Sequence, residues 1–316
     1  MTNKKIDNSN VIDLFDSPMK LSRYQSSMEI WKEPGQVDNA IFQHSVFCQS
    51  YFPYRKLPEN VRIWRQSQGN VSLNVQTLDQ EHPKTGEMIH FGVPFGTKAR
   101  LITAYLNTQA IKTGSPVIDV ESSMTSFIQA IGLATKGKNF IEVKDQLARI
   151  ASSVISLNFK EADRVLTTRF LFVKAYDLWF PKDERQRVLW MPTIQLTDDY
   201  FNELAKHAVP LDERALGALK NNAMALDIYS WLAQRLHRVP KGKPQFITWV
   251  SLKEQFGMGY ERMDKFKAVF RTTLTIVHTQ YMGAKIREES NKGYWLENSP
   301  SPIEKKTIIF LDTSKG

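Results

Sequence analysis

The order of predicted secondary structure occurs twice along this chain. Apolar residues spaced three and four positions apart indicate helices, and runs rich in β-branched and aromatic residues indicate strands. In the first copy, a helix begins at Thr97 and ends near Gly114, because threonine caps helix starts and glycine commonly follows helix ends. The further elements of this copy are, in order, a strand at 117–120, a helix capped by Ser122 or Ser123, a helix over 140–150, and strands at 154–159, 169–179 and 188–196.

The second copy follows from Thr197 onward. Its elements are helices at 198–207, 212–220 and 222–238, a strand at 246–250, a helix at 252–256 capped by Ser251, a turn at 257–259, a long helix at 261–279 and a hairpin at 284–297. Helix, strand, helix, turn, helix and hairpin is the order of a winged helix, a helix-turn-helix variant whose hairpin is the wing. The sequence therefore predicts an α+β fold of two tandem winged-helix domains, mainly helical with short antiparallel hairpins.

A division into three regions fits this order and the length of 316 residues, which suffices for two ordinary domains. Residues 1–40 are rich in Asn, Ser, Asp and Lys with scattered apolar positions, and are predicted to be a flexible N-terminal arm that contains at most a short helix. Residues 41–196 are predicted to form the first winged-helix domain with an N-terminal extension, used for assembly, DNA contact or both. Residues 197–316 are predicted to form the second winged-helix domain and the main DNA-binding module.

The charge of the chain points to a polyanionic partner. The formal net charge is +9 at pH 7, which raises the local concentration of nucleic acid around a protein. The single cysteine, Cys48, excludes an internal disulfide and a thiolate zinc site, so no metal or other cofactor is expected. No run of about 18 apolar residues occurs, so no membrane contact is expected, and a bacterial-type cytoplasm is the predicted compartment.

The long helix of the second copy is the first candidate for DNA contact. Rotation by about 100° per residue away from its apolar stripe leads to a polar face, on which Arg271 and Thr272 are placed to address base edges. The alternative is that this face is only the solvated side of an amphipathic helix. The candidate DNA-binding residues are Arg262, Lys265, Lys267, Arg271, Thr272 and Thr275 in or beside the helix, Lys285, Arg287 and Lys292 in the hairpin, and Lys136 and Lys138 before the equivalent helix of the first copy.

That equivalent helix has a weaker electrostatic surface. Its outward positions include Ile141, Glu142 and Asp145, a mixture that suits self-association or contact with another protein as well as it suits DNA.

The sequence has no complete catalytic motif, and the chain is expected not to be an enzyme. Gly132 to Lys138 has the spacing of a phosphate-binding loop, but Asn139 replaces the required Ser or Thr and a helix precedes it where a strand is needed. A nicking initiator needs a metal held by closely spaced histidines, and none of the six histidines lies within two residues of another.

Several short stretches resemble the RepA-type plasmid replication initiators. The similar stretches are 52–58 (FPYRKLP), 69–73 (GNVSL), 92–101 (GVPFGTKARL), 210–216 (PLDERAL), 225–232 (ALDIYSWL), 247–249 (ITW) and 255–257 (QFG). The resemblance implies a protein that binds directly repeated sites in double-stranded origin DNA, helps to open the origin, and recruits the host replicative helicase and chromosomal initiator. It also implies autorepression by a homodimer. The competing interpretation is a winged-helix transcriptional repressor that has no initiation role.

Overall fold

The computed structural model describes residues 18–68, 71–81, 85–120, 123–161, 164–176 and 193–304. The helices of this part are α1 (Pro18–Lys32), α2 (Gly96–Thr113), α3 (Met124–Ala130), α4 (Gly137–Ala151), α5 (Asp198–His207), α6 (Glu213–Leu219), α7 (Ala223–Arg235), α8 (Trp249–Phe256) and α9 (Met263–Gln280). The strands are β1 (Ala40–His44), β2 (Ile63–Gln68), β3 (Val71–Thr77), β4 (Gln80–Glu81), β5 (Met88–Ile89), β6 (Val117–Asp119), β7 (Ser153–Glu161), β8 (Arg164–Leu171), β9 (Val173–Tyr176), β10 (Thr193–Leu196), β11 (Ala208–Asp212), β12 (Gln245–Thr248), β13 (Ile286–Glu289) and β14 (Gly293–Leu296).

Two small antiparallel sheets repeat one strand order. In the first half of the chain, up to residue 196, the order is β6-β10-β9, and in the second half, from residue 197, it is β12-β14-β13. In both sheets the strand that comes first in sequence, β6 or β12, pairs with the strand that comes last, β10 or β14. The strand between them in sequence, β9 or β13, lies at the edge of the sheet. The fold is mixed α/β with small antiparallel sheets, as the sequence predicted at this level.

Two further sets of strands connect distant parts of the chain. The hairpin β7–β8 lies between α4 and β9 in sequence and joins the extension strands in a sheet of order β2-β3-β7-β8. Strand β1 pairs with β11, with Ala40 opposite Asp212 and His44 opposite Ala208. The N-terminal extension is thus part of the folded body.

Helix starts and ends follow local capping chemistry. The side chains of Ser123, Thr197, Asn222 and Thr248 each accept a hydrogen bond from the backbone N–H three residues later, which satisfies a donor that the helix leaves open. Gly114 ends α2 in the left-handed conformation, with φ of 64°, where a side chain would be strained.

The structure differs from the predicted boundaries in several places. Helix α8 begins at Trp249 and is capped by Thr248, so the prediction of a Ser251 cap is wrong. In its described part, residues 169–176, the β run predicted over 169–179 is the end of β8 followed by β9. Residues 177–192, which include the end of the run predicted at 169–179 and the start of the run predicted at 188–196, lie outside the described residues.

The N-terminal region also differs from expectation over 18–40. Instead of a flexible arm, these residues form α1, a single 3-10 turn at Val37–Asn39 and the start of β1. Helix α1 packs against α6 and α9 of the second half, and the backbone carbonyl of Arg23 accepts a hydrogen bond from Gln280 Nε2 at 3.0 Å.

A buried ion pair joins the two halves. Arg100 of α2 donates from Nε to Asp227 Oδ1 at 2.6 Å and from Nη2 to Oδ2 at 2.8 Å. The same guanidinium donates to the carbonyl oxygens of Phe52 and Gly96. Burial raises the pKa of Asp227 to about 6, and Arg100 opposes this shift. One continuous apolar core surrounds the pair and runs through both halves.

A glutamine network forms a second contact between the halves. Gln66 of β2 donates to the backbone carbonyl of Gln255 in α8 at 2.5 Å. Gln255 Nε2 lies 3.2 Å from both the carbonyl oxygen of Gln49 and the hydroxyl of Tyr51. Helix α8 is therefore fixed on the sheet that contains β2.

We expect His44 to make stability depend on pH below about 6.5. His44 is buried against Tyr200, Nδ1 accepts from the N–H of Val46, and burial lowers the pKa of His44 to about 3. Because the folded-state pKa lies below the unfolded value, the stabilisation is complete above about pH 6.5 and is lost as the pH falls towards 3, at up to about 1.4 kcal/mol per pH unit. His44→Asn keeps an acceptor for the N–H of Val46. In this variant the free energy of unfolding, measured by urea titration, should change less between pH 6.5 and pH 5 than it does in the wild type.

The control for this prediction is His278→Asn at an exposed position, which should leave the slope unchanged. An equal slope in wild type and His44→Asn would contradict the assignment.

Candidate nucleic-acid interface

A tight turn sets α9 against α8. The N–H of Gly257 donates to the carbonyl oxygen of Lys253 at 2.7 Å, and the N–H of Tyr260 donates to the carbonyl oxygen of Gly257 at 2.9 Å. A Cβ atom at Gly257 would lie 2.7 Å from the Lys253 carbonyl oxygen, so only glycine allows this close approach. The Gly257-Met258-Gly259 turn predicted from sequence is present.

Trp249 is the centre on which α8, α9 and the β13–β14 hairpin meet. Its ring is buried and makes edge contacts with Phe266 and Phe270 of α9 and with Tyr294 of the hairpin, at centroid distances of 6.2, 5.6 and 5.2 Å. Aromatic edge contacts of this kind add to the stabilisation from buried area. One indole ring thus contacts both the helix and the hairpin.

Arg271 lies between α9 and the hairpin. Its Nη2 donates to Glu288 Oε1 at 2.6 Å, its Nε lies 3.1 Å from both carboxylate oxygens, and its guanidinium is 5.0 Å from the Trp249 ring centroid. This hydrogen bonding holds the pKa of Glu288 below its ordinary value. Arg271 was expected on the outward face, ready to address base edges, but its guanidinium is engaged with the hairpin.

Lys267, like Arg271, lies over the Trp249 ring and contacts the hairpin. Its Nζ lies 5.3 Å from the Trp249 ring centroid and donates to the backbone carbonyl of Asn291 at 3.2 Å. Asn291 is in the left-handed conformation, with φ of 57°, at the tip of the hairpin. Lys267, a candidate DNA-binding residue, therefore connects α9 to the tip of the hairpin.

The exposed side of α9 carries the other candidates from this helix. Lys265, Thr272 and Thr275 are exposed, together with Ala268 between them. The hydroxyls of Thr272 and Thr275 donate to the backbone carbonyls four residues earlier, which leaves their lone pairs and methyl groups directed to the surface.

Arg262 marks the start of this side. It precedes the first residue of α9 and pairs with Asp264, with Nη2 and Oδ2 2.7 Å apart, in an exposed position.

The hairpin contributes three exposed cations, Lys285, Arg287 and Lys292. Lys292 Nζ also lies 2.9 Å from Glu289 Oε1. Gly293 starts β14 where a Cβ atom would lie 2.0 Å from the Ile247 carbonyl oxygen, so glycine allows β14 to approach β12. The structure thus brings the candidate DNA-binding residues of the second half of the chain together along α9 and the adjoining hairpin.

Lys136 and Lys138 lie on the first unit, at the start of α4. Both are exposed, and Lys138 Nζ is 3.8 Å from Glu142, which also binds Lys98 at 2.5 Å. Ile141 beside them is 72% exposed.

The segment that resembled a phosphate-binding loop connects α3 to α4, so a helix precedes it as predicted. In the part of the chain that the structure describes, no group of three or more His, Cys, Asp or Glu residues could hold a metal ion.

A groove between the two halves is a feature that sequence reasoning missed. It has a volume of about 880 Å³ and is lined by the first turns of α2 and α7, by α4 and by α9. Its basic side chains are Arg23, Arg55, Lys56 and Lys98. They come from segments far apart in sequence, and the only available signal was that Arg55 and Lys56 fall within one of the stretches that carry the resemblance.

The fold and this helix-and-hairpin surface define a candidate nucleic-acid-binding protein. The family model described as plasmid encoded RepA protein matches residues 93–251, half of the chain, and the chain belongs to this family. The match begins just before α2 and ends within α8, so it includes Lys136 and Lys138 but not α9 or the hairpin.

Two solved structures are similar in the course of the chain. A crystal structure of domains 2–3 of RctB has 11% sequence identity and a TM-score of 0.49, and it covers 81% of this chain and 97% of that chain. A second structure of the same two domains, from selenomethionine derivatives, has 11% identity and a TM-score of 0.47 and covers 82% and 99%. No curated protein matches the chain. None of the helices in the described ranges is long and apolar enough to cross a membrane.

Proposed function

We propose that this chain is a plasmid replication initiator that binds specific double-stranded origin DNA through its second half and acts without being an enzyme. Membership of the plasmid encoded RepA family is the observation that carries the proposal. The repeated strand order β6-β10-β9 and β12-β14-β13 supports two winged-helix units, since it places a hairpin beside the second helix of each pair.

In this proposal α9 enters the major groove. Thr272 and Thr275 face base edges, Lys265 and Arg262 reach phosphates at the start of the helix, and Lys285 and Arg287 hold the neighbouring backbone. Arg271 and Lys267 keep the hairpin in place beside the helix, and Lys292 pairs with Glu289 within the hairpin. Lys136 and Lys138 provide a second, weaker contact from the first unit.

The steps after binding follow from the family. The sites are directly repeated, the bound protein promotes opening of the origin, and it recruits the host replicative helicase and chromosomal initiator. A homodimer represses the initiator's own gene. In this proposal the protein acts in a reducing, cytoplasmic compartment.

The test is a binding titration of the full chain against DNA that flanks its own gene and against a shuffled duplex, at two salt concentrations. Affinity is interpretable only with its salt dependence, because counterion release dominates protein–DNA binding. Discriminating binding with several retarded species supports an initiator on repeated sites. A single species on a palindrome over a promoter indicates a repressor, and equal binding to both duplexes contradicts sequence-specific recognition.

We expect Lys265→Ala and Thr272→Ala to have different effects in this titration. Lys265→Ala should weaken binding to both duplexes alike and reduce the slope of log affinity against log salt by about 1. Thr272→Ala should lower affinity for the cognate duplex by about 1–3 kcal/mol, with little change on the shuffled one.

The matched control is Lys206→Ala on α5, an exposed lysine away from α9, which should leave both affinities unchanged. If Lys206→Ala reduced the salt slope as much as Lys265→Ala does, the cations would act only through net charge.

A further inference from the structure

The exposed side of α9 is a stripe of short side chains that carry methyl groups. The residues of this methyl stripe, spaced four, three and four positions apart, are Ala268, Thr272, Thr275 and Thr279, and all four are exposed. At about 100° per residue they fall within an arc of about 60° on one side of the helix. From Ala268 to Thr275 the helix rises about 10 Å, so this part of the stripe is as long as about three base pairs of DNA.

The hydroxyl hydrogens of the methyl stripe are turned back to the helix. Thr272 Oγ1 and Thr275 Oγ1 each donate to the backbone carbonyl oxygen four residues earlier, at 3.1 and 3.0 Å. Thr279 Oγ1 donates to the carbonyl oxygen of Ile276 at 2.7 Å. A hydroxyl has a single hydrogen, so none of these three groups has a donor left for a base. Each threonine offers DNA a methyl group and the lone pairs of its oxygen.

The side chains on the two flanks of the methyl stripe do not supply the missing donors. On the hairpin flank, Arg271 is held by Glu288, and His278 Nε2 lies 3.0 Å from a backbone carbonyl oxygen just before the hairpin. On the other flank lies Val269, an apolar residue that is 39% exposed. Recognition of guanine or adenine by paired hydrogen bonds uses Arg, Lys, Asn or Gln. Over residues 268–279, none of these types is among the exposed residues of α9.

Methyl groups match one feature of the major groove. Thymine carries a methyl group at C5 on its major-groove edge, and apolar contacts from alanine and from the threonine methyl group recognise it. We propose that Ala268, Thr272 and Thr275 recognise thymines in the bound site through their 5-methyl groups. This inference rests on the proposed function, because it requires α9 to lie in the major groove of double-stranded DNA.

The experiment compares two forms of the DNA that flanks the gene of this chain, one with thymine and one with uracil at every thymine position. Uracil pairs with adenine as thymine does but lacks the 5-methyl group. Each lost methyl contact should weaken binding about fourfold, so the full chain should bind the uracil duplex at least about tenfold more weakly than the thymine duplex. A shuffled duplex should be bound equally in both forms, because phosphate contacts do not depend on the base.

Substitutions in α9 separate the methyl groups from the hydroxyls. Serine at both Thr272 and Thr275 keeps the hydroxyls and removes the methyl groups, whereas valine at both positions does the opposite. The double serine variant should bind the thymine duplex at least about tenfold more weakly and the uracil duplex unchanged, while the double valine variant binds both as wild type does. The matched control is Thr113→Ser on α2, since Thr113 is exposed and its hydroxyl donates to the carbonyl oxygen of Gln109 at 2.8 Å. It should bind both duplexes as wild type does.

Failure of this inference is distinguishable from failure of the proposed function. Equal affinity for the thymine and uracil duplexes, with discrimination against the shuffled duplex retained, would overturn thymine recognition and leave the proposed function standing. A loss in the double valine variant but not in the double serine variant would mean that the hydroxyl oxygens accept from base amino groups instead. A uracil effect of equal size in wild type and the double serine variant would mean that residues outside the methyl stripe contact the thymines. Equal binding of the thymine duplex and the shuffled duplex by wild type would contradict the proposed function and this inference together.

Discussion

Replacing Arg100 with methionine should lower the free energy of unfolding by about 3–5 kcal/mol, because Asp227 would keep its place in the core without a compensating charge. The ion pair is buried on both sides, and the guanidinium also satisfies the carbonyl oxygens of Phe52 and Gly96. The measurement is urea denaturation of the variant and the wild type at pH 7, with the midpoint and slope compared.

The pH dependence of this loss has a definite sign. Burial already raises the pKa of Asp227 to about 6 in the presence of Arg100, and removal of the cation should raise it further. A neutral carboxylic acid costs less to bury than a carboxylate. The deficit of Arg100→Met should therefore shrink as the pH is lowered from 7 towards 5.

Two controls test whether the effect comes from an uncompensated buried charge. The double variant Arg100→Met, Asp227→Leu should regain most of the lost stability, since an apolar pair can replace a buried ion pair at little cost. Lys56→Ala removes an exposed partner of Glu59 and should change stability by less than about 1 kcal/mol. A loss in the double variant as large as that in Arg100→Met would mean that lost packing dominates.

The sequence predicted the order of elements well because that order depends on local signals. The apolar stripe of α9 and the turn at Gly257 are examples, since each can be recognised within a few residues. The cap of α8 was misplaced because Thr248 and Ser251 are both good capping residues, and the choice depends on Trp249 being buried in the first turn of the helix. A tertiary contact decided a local boundary there.

Contacts between distant residues account for most of what the sequence did not predict. Arg100 and Asp227 are separated by 127 positions, and nothing local in either stretch indicates the pair. The region of α1 was expected to be a flexible arm with at most a short helix, because residues 1–40 are rich in polar residues with scattered apolar positions. It is held instead by serine and arginine hydrogen bonds to backbone carbonyls, which no hydrophobic pattern reports.

Arg271 shows the same limit at the candidate site. Rotation about the axis of a single helix places a residue relative to the core stripe, but it does not show that a hairpin packs on one side. Glu288 lies 17 positions later and takes the guanidinium that was expected to face DNA. We therefore assign Arg271 the role of positioning the hairpin against α9.

This role leads to an unusual expectation for Glu288→Gln. Removal of a negative charge beside a DNA-binding surface should strengthen binding if only long-range electrostatics matter. If Glu288 instead holds Arg271, and through it the angle of the hairpin, Glu288→Gln should weaken binding to the cognate duplex about tenfold, or about 1.4 kcal/mol. Arg271→Ala should cost about 1–3 kcal/mol, and the two substitutions together should cost less than their sum, because both break one contact.

The decisive comparison uses Glu254→Gln, an exposed glutamate on α8, as the matched loss of one negative charge. Glu254→Gln should leave affinity unchanged or slightly raised, while Glu288→Gln lowers it. A direct base contact by Arg271 predicts a different pattern, in which Arg271→Ala abolishes discrimination between cognate and shuffled duplexes and Glu288→Gln raises affinity by freeing the guanidinium. Because the two roles give Glu288→Gln opposite signs, one titration series distinguishes a residue that reads DNA from one that orients the hairpin beside it.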